Sequence, residues 1–229
     1  MPSKSKSGYN LIVAAHPDDE TLFFSSLLLD ASINKLVVCV TDGNADGHGE
    51  LRAQQFADTM KYFGIKDYFF GELPDLYDQR LSYEDLAAIF DKLPEPSRVY
   101  THGPIGEYMH PHHQDVSFAV SQYYQDRCPS FGVSYNCYPD DIRQLSREDY
   151  QKKARIISEI YGSETNRFLN LIPCSAVEGF TALDPKEVAE IYKLLTGKVN
   201  KLNPQLLTKY FWLKDFLEYR ATLPGKRLF

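Results

Sequence analysis

No apolar run in this chain approaches the length of about eighteen residues that would indicate a membrane-spanning helix. Basic residues are in the minority, 25 Lys+Arg against 31 Asp+Glu, for a formal net charge of −6. That balance argues against nucleic-acid or anionic-membrane binding driven by overall charge. Cysteine is scarce. Cys39, Cys128, Cys137 and Cys174 are scattered, with no Cys-x-x-Cys pair. Neither a disulfide framework nor a thiolate zinc site is expected. The basic, polar start lacks the apolar centre and cleavage site of a secretory signal, so the expected compartment is the cytoplasm. A Gly-x-Gly-x-x-Gly turn is also missing. The first strand is followed by His16-Pro17-Asp18-Asp19-Glu20. Three carboxylates there would repel a pyrophosphate, which speaks against a nucleotide-binding Rossmann protein.

What is present is an ordinary globular balance, 43% hydrophobic and 24% charged residues over 229 positions. Buried-strand patterns fall at residues 9–15, 36–40, 67–70 and 98–102. Helical patterns fall at 19–29, 50–63, 83–93 and 111–124. Strands alternating with helices predict a parallel sheet covered on both faces. Beyond residue 128 the pattern loosens. A strand is expected near 133–138, with helices near 147–161, 185–195 and 204–219. The expected organisation is a tail over residues 1–8 and a single α/β domain over 9–229. Residues 9–127 form its Rossmann-like half, and 128–229 a C-terminal extension shaping the substrate site.

Ligands of open α/β sheets sit outside the carboxyl ends of the strands. Three strand ends carry chemistry. After the first strand come His16, Asp18 and Asp19, with Pro17 suited to a first helical position. An acidic helix start explains the carboxylates through the helix dipole, but not the histidine. His16 and Asp19, three residues apart across the turn, are both normal zinc ligands, and Asp18 between them could hold a proton. After the second strand comes Thr41-Asp42-Gly43-Asn44-Ala45-Asp46-Gly47. It begins like a calcium loop, but position twelve is Ala53 rather than Glu, and a strand precedes it rather than a helix. Arg52, on the following helix, is a candidate anion or hydroxyl contact. After the fourth strand, four of the six histidines fall between His102 and His113. Either His110 or His113 could complete a His–Asp–His triad, whose three protein ligands leave a position open for water.

Ala-His-Pro-Asp-Asp-Glu after a first strand, with a later Glu107-Tyr108-x-His110-Pro111-x-His113, resembles the PIG-L/LmbE-like family of zinc-dependent N-acetylglucosaminyl deacetylases. Thr41-Asp42-Gly43 with Arg52, Leu73-Pro74-Asp75, Tyr161-Gly162-Ser163 and Glu178-Gly179-Phe180 extend the likeness across most of the chain. The resemblance implies a Rossmann-like fold and one Zn2+ held by His16, Asp19 and His113. It implies Asp18 as general base, His110 as transition-state stabiliser and proton donor, and Tyr108 near the oxyanion. It places Arg52, Asp75, Asp42 and His112 as substrate contacts. The implied reaction is hydrolysis of the acetamide of a small amino-sugar substrate, with no nucleic-acid partner and a homo-oligomer left open. Four positions depart from the common pattern. His112 stands where Asp is usual, Met109 where Gly is, Gln55 where Glu is and Glu164 where Gln is. A zinc hydrolase of a non-sugar N-acyl or ester substrate, and a catalytically idle sugar-binding module, are the alternatives.

Overall fold

The computed structural model describes residues 8–166, 174–203, 205, 207–211 and 213–215. Among these, seven strands form one sheet in the order β3-β2-β1-β4-β5-β7-β6. They are β1 (Asn10–Ala14), β2 (Lys35–Thr41), β3 (Tyr68–Leu73), β4 (Arg98–Thr101), β5 (Ser130–Val133), β6 (Asp141–Gln144) and β7 (Val177–Ala182). The first five are mutually parallel. β7 then pairs antiparallel with both β5 and β6, so the sheet is mixed at that edge.

The continuous apolar run of β1 has the meaning expected of a central strand buried on both faces. Leu11 and Val13 point to one side, into a core with Val38, Val40 and Val99. That core is closed by helices α3 (Tyr83–Phe90) and α4 (Pro111–Tyr123), through Leu86, Ile89, Val116 and Val120. Ile12 points to the other side, where α1 (Asp19–Leu28) and α2 (Gly49–Tyr62) bring Phe23, Phe24, Leu27, Phe56 and Met60. The strand order reverses beside β1, with β2 on one flank and β4 on the other. A crevice opens above such a reversal, and this is where the three motif-bearing strand ends meet.

Residues 128–215 depart further from the sequence pattern. The strand expected at 133–138 lies at 130–133 instead, its pairing with β7 ending just past Val133, where the Ser134 N–H donates to Gly179 O. The edge strand β6 and its neighbour β7 are not among the expected strands. Their sequences, DIRQ and VEGFTA, carry too little apolar alternation to stand out. The helix expected at 147–161 begins as α5 (Arg147–Arg155) and passes into a π-helical turn over Ile156–Ile160. A short helix α6 (Gly162–Thr165) follows, and α7 (Pro185–Leu195) matches its expected bounds. The tail at 1–7 lies outside the described residues, as do positions 204, 206, 212 and 216–219 of the last expected helix.

Candidate metal centre

His16 lies just beyond β1, in the turn that opens α1. Pro17 precedes the helix rather than starting it, because Asp18 takes a left-handed conformation, φ 99°, and the first helical residue is Asp19. A non-glycine residue held there is strained, and such strain persists only where surrounding contacts impose it. Here they are specific. The Asp18 N–H donates to Glu20 Oε2, and the Asp18 carboxylate stands 3.3 Å from the Arg52 guanidinium. The turn also brings Asp19 back under His16, whose backbone N–H donates to Asp19 Oδ2 at 2.8 Å.

α4 supplies the remaining donors. His110 caps it, and Pro111 fills its first position, as the sequence indicates. His113, one turn in, brings Nε2 to 3.2 Å from Asp19 Oδ2 and 3.3 Å from His16 Nδ1. His16 Nδ1 is 3.2 Å from the same carboxylate oxygen. Three donor atoms thus form a nearly equilateral triangle. A tetrahedral zinc site with bonds of 2.0–2.1 Å requires donor–donor edges of about 3.3–3.4 Å. Two further observations fit a cation at this point. Asp19 Oδ1 is buried without a hydrogen-bond partner. Burial works against a charge on His113, yet Asp19 and Glu107 raise its pKa to about 10, so the surroundings favour a positive charge.

The ring of His113 is fixed from behind. Its Nδ1–H donates to Glu107 Oε2 at 2.7 Å, leaving Nε2 for the centre. His102 stacks on His113 with centroids 3.8 Å apart and donates its own Nδ1–H to the same oxygen at 2.7 Å. His102 Nε2 accepts the Ala15 N–H, so this imidazole is neutral and committed to the fold. Glu107 is fully buried, and its second oxygen accepts the Gly103 N–H at 2.9 Å. Burial would raise its pKa, but the two histidines lower it to about 2. This carboxylate-to-imidazole arrangement is the usual outer support of a metal-binding histidine. Sequence reasoning passed over Glu107 because it lies in a short 3-10 turn, Glu107–Met109, with no periodicity to mark its direction. A lone carboxylate inside the histidine-rich loop was the available signal.

The other expected residues fall around this point. Burial raises the Asp18 carboxyl pKa to about 8 against the pull of Arg52. Arg52 is itself buried. It donates to Pro17 O and lies 3.4 Å from Glu164. Arg52 thus has a carboxylate neighbour on each side, Asp18 and Glu164, while Gln55 donates to Ser163 Oγ and Ile160 O. Asp42 Oδ1 accepts N–H groups of Asn44 and Asp75, joining two loops. Asp75 Oδ1 lies 3.4 Å from His16 Nε2, and the nearby imidazoles hold its carboxyl well below the usual range, although burial opposes them. His112 is buried against His16 rather than turned toward the backbone of its own loop. His110 lies with its ring centroid 4.5 Å from that of His16, and burial with the neighbouring His16 and His113 lowers its pKa to about 2. Its Nδ1 accepts the His112 N–H, which leaves Nε2–H as a donor. Tyr108 and Tyr77 are exposed, with ring centroids 6.1 and 6.0 Å from that of His110. Tyr108 and Met109 are left-handed, with φ of 48° and 66°.

Fold and site together define an α/β chain with a His/Asp centre at its strand ends. Residues 11–124 match the family model described as PIG-L: GlcNAc-PI de-N-acetylase. The chain belongs to this PIG-L/LmbE-like family. A curated relative from Dictyostelium discoideum, "Probable N-acetylglucosaminyl-phosphatidylinositol de-N-acetylase", is 28% identical over 123 residues, 49% of this chain and 48% of that one. The chain therefore spans about half the length of the curated relative it matches. Among solved structures, a deacetylase triple mutant of the teicoplanin biosynthetic pathway aligns with TM-score 0.59 at 17% identity, covering 77% of this chain and 99% of that one. The N,N'-diacetylchitobiose deacetylase of Pyrococcus horikoshii aligns with TM-score 0.57 at 17% identity, covering 78% and 84%. At such identities these two likenesses concern the fold. Among the described residues, no helix is long and apolar enough to cross a membrane.

Proposed function

We propose that this chain is a zinc-dependent N-deacetylase that hydrolyses the acetamide of an N-acetylglucosamine-type sugar to an amine and acetate. The observation that carries this reading is the triangle of His16 Nδ1, Asp19 Oδ2 and His113 Nε2, with Asp18 beside it, in a chain of this family. His16, Asp19 and His113 would hold the zinc, which when bound supplies Lewis-acid activation of water for attack on an amide carbonyl.

The chain's own residues divide the remaining work. Asp18 accepts the water's proton and returns it to the departing amine; Arg52 and the Glu20 carboxylate hold it in place for both transfers. His110, neutral and with Nε2–H free to donate, stabilises the charge that develops on the carbonyl oxygen, assisted by the Tyr108 hydroxyl. Tyr77 and Tyr108 flank His110 and offer flat faces to a sugar ring. Asp75 borders His16 and is the contact to a sugar hydroxyl, while His112, with both ring nitrogens engaged, holds His16 in place. Arg52 and Asp42 act through the loops they join. The C-terminal extension shapes the site from below, where Glu164 meets Arg52 and the Tyr161 hydroxyl donates to Glu20.

Amine release from a panel of N-acetyl sugars tests the reading. The panel holds free, nucleotide-linked and lipid-linked N-acetylglucosamine together with simple N-acyl amines. Metal-loaded protein is expected to release amine from one sugar class. Asp18→Asn is expected to lose turnover at least a thousandfold while keeping wild-type metal content. Release only from simple N-acyl amines, or loss of metal in Asp18→Asn, would refute the substrate or the assignment of Asp18.

A further inference from the structure

Both ring nitrogens of His16 are engaged, each with a different pair of donors. Nδ1 faces Asp19 and His113. Nε2, on the opposite edge, faces His112 Nδ1 at 3.0 Å and Asp75 Oδ1 at 3.4 Å. His112 Nδ1 and Asp75 Oδ1 lie 3.5 Å from each other. These three edges bracket the donor spacing of about 3.3–3.4 Å that four-coordinate zinc requires. The donor set, two imidazoles and a carboxylate, repeats that of the first triangle, and all three residues are buried.

His112 is already oriented for such a role. Its Nε2–H donates to the Gln79 carbonyl at 2.9 Å, so its Nδ1 carries the free electron pair. A backbone carbonyl holding the far nitrogen is a common support for a metal-binding histidine. The residue that makes this possible, His112, is one of the four that depart from the common pattern. An Asp at position 112 would have a shorter side chain and no second nitrogen to bond Gln79.

We propose that His16, His112 and Asp75 form a second divalent-metal seat, joined to the first through His16 as a bridging imidazolate. The proposal rests on the reading of His16, Asp19 and His113 as the first seat. When the second seat fills, the metal takes the electron pair at His16 Nε2, and the proton there leaves to solvent. No electron is transferred, and no oxidant or reductant takes part. Filling the seat also withdraws Asp75 from the sugar.

Zinc titration of the metal-free full chain tests the proposal, with bound metal counted by elemental analysis after gel filtration. Wild type is expected to hold two zinc ions per chain. His112→Ala, Asp75→Asn and His113→Ala are each expected to hold one, and His16→Ala none. Circular dichroism of each variant shows that it is folded, and Asp75→Asn preserves side-chain shape. One zinc per chain, lost in His113→Ala but kept in His112→Ala and Asp75→Asn, would overturn the second seat and leave the first standing. One zinc per chain, lost in His112→Ala and Asp75→Asn but kept in His113→Ala, would overturn the first seat and the bridge together. In protein loaded with two copper(II) ions, an exchange-coupled paramagnetic spectrum is expected. Two independent copper signals would overturn the bridge.

Discussion

Replacing Glu107 by Gln perturbs the centre without touching a donor atom. One Glu107 oxygen accepts two imidazole N–H groups, from His102 and His113, each at 2.7 Å. The other accepts the Gly103 N–H at 2.9 Å. An amide cannot satisfy all three. With its oxygen toward the histidines, its NH2 opposes the Gly103 N–H; turned the other way, it opposes both imidazoles. At least one buried donor is orphaned, at a cost of about 1–3 kcal/mol. The loss of the carboxylate also weakens His113 as an electron donor. Outer supports of this kind typically change metal affinity by about 10- to 100-fold, or about 1.4–2.8 kcal/mol. The expected result for Glu107→Gln is therefore a first-equivalent zinc affinity lowered by about 10- to 100-fold, measured by competition with a chromophoric chelator. Its urea midpoint is expected to fall as well. Affinity within threefold of wild type, with an unchanged midpoint, would refute the role given to Glu107.

Three predictions concern the frame that holds the site. Lys153 is fully buried, with Nζ donating to Leu22 O, Ser175 O and Glu178. Lys153→Met leaves the Glu178 charge unpaired and should cost about 3–5 kcal/mol in urea unfolding; a loss below about 1 kcal/mol would refute a charged buried pair. A Cβ at Gly71 would stand 2.1 Å from Val40 O, beside the irregular register of β2 and β3, so Gly71→Ala should destabilise by at least about 1–3 kcal/mol. An unchanged midpoint would mean that β3 approaches β2 less closely. Asp140 accepts from Thr181, Ala182 and Lys209, and these hold its pKa down at about 2, below the ordinary 3.8. A lowered carboxylate pKa stabilises the fold above the ordinary value, and that contribution fades as pH falls toward 2. The wild-type advantage over Asp140→Asn should therefore be present at pH 6 and shrink between pH 4 and 2. An advantage that grows on acidification would contradict the sign.

Much of this architecture was legible in the chain because its signals are local. The runs at 11–14 and 36–40 are apolar without alternation, as strands buried on both faces must be. His16, Asp18 and Asp19 lie within one turn, and His110 and His113 within another, so their spacing alone brings each set to a strand end. The resemblance carried by these motifs led to the family. Met109 and Tyr108 in left-handed conformations, by contrast, have no sequence mark comparable to a glycine. The edge strand β6 and its neighbour β7 are short and largely polar, and their pairing exists only once β5 is in place.

By itself, the sequence determined the alternating α/β order, the strand-end location of the site and the donor types gathered there. Each follows from periodicity or from contacts a few residues apart. Tertiary structure alone decided which nitrogen of each histidine faces which partner. Those choices depend on groups distant in the chain: Ala15 N–H on His102, Gln79 O on His112 and Asp75 on His16. It also decided that Arg52 serves Asp18 and Glu164 from within the fold, because the guanidinium is enclosed by segments more than thirty and one hundred residues away. A hydrogen-bond partner or a tautomer is fixed by the atom that arrives from across the fold, and sequence spacing carries no record of that arrival.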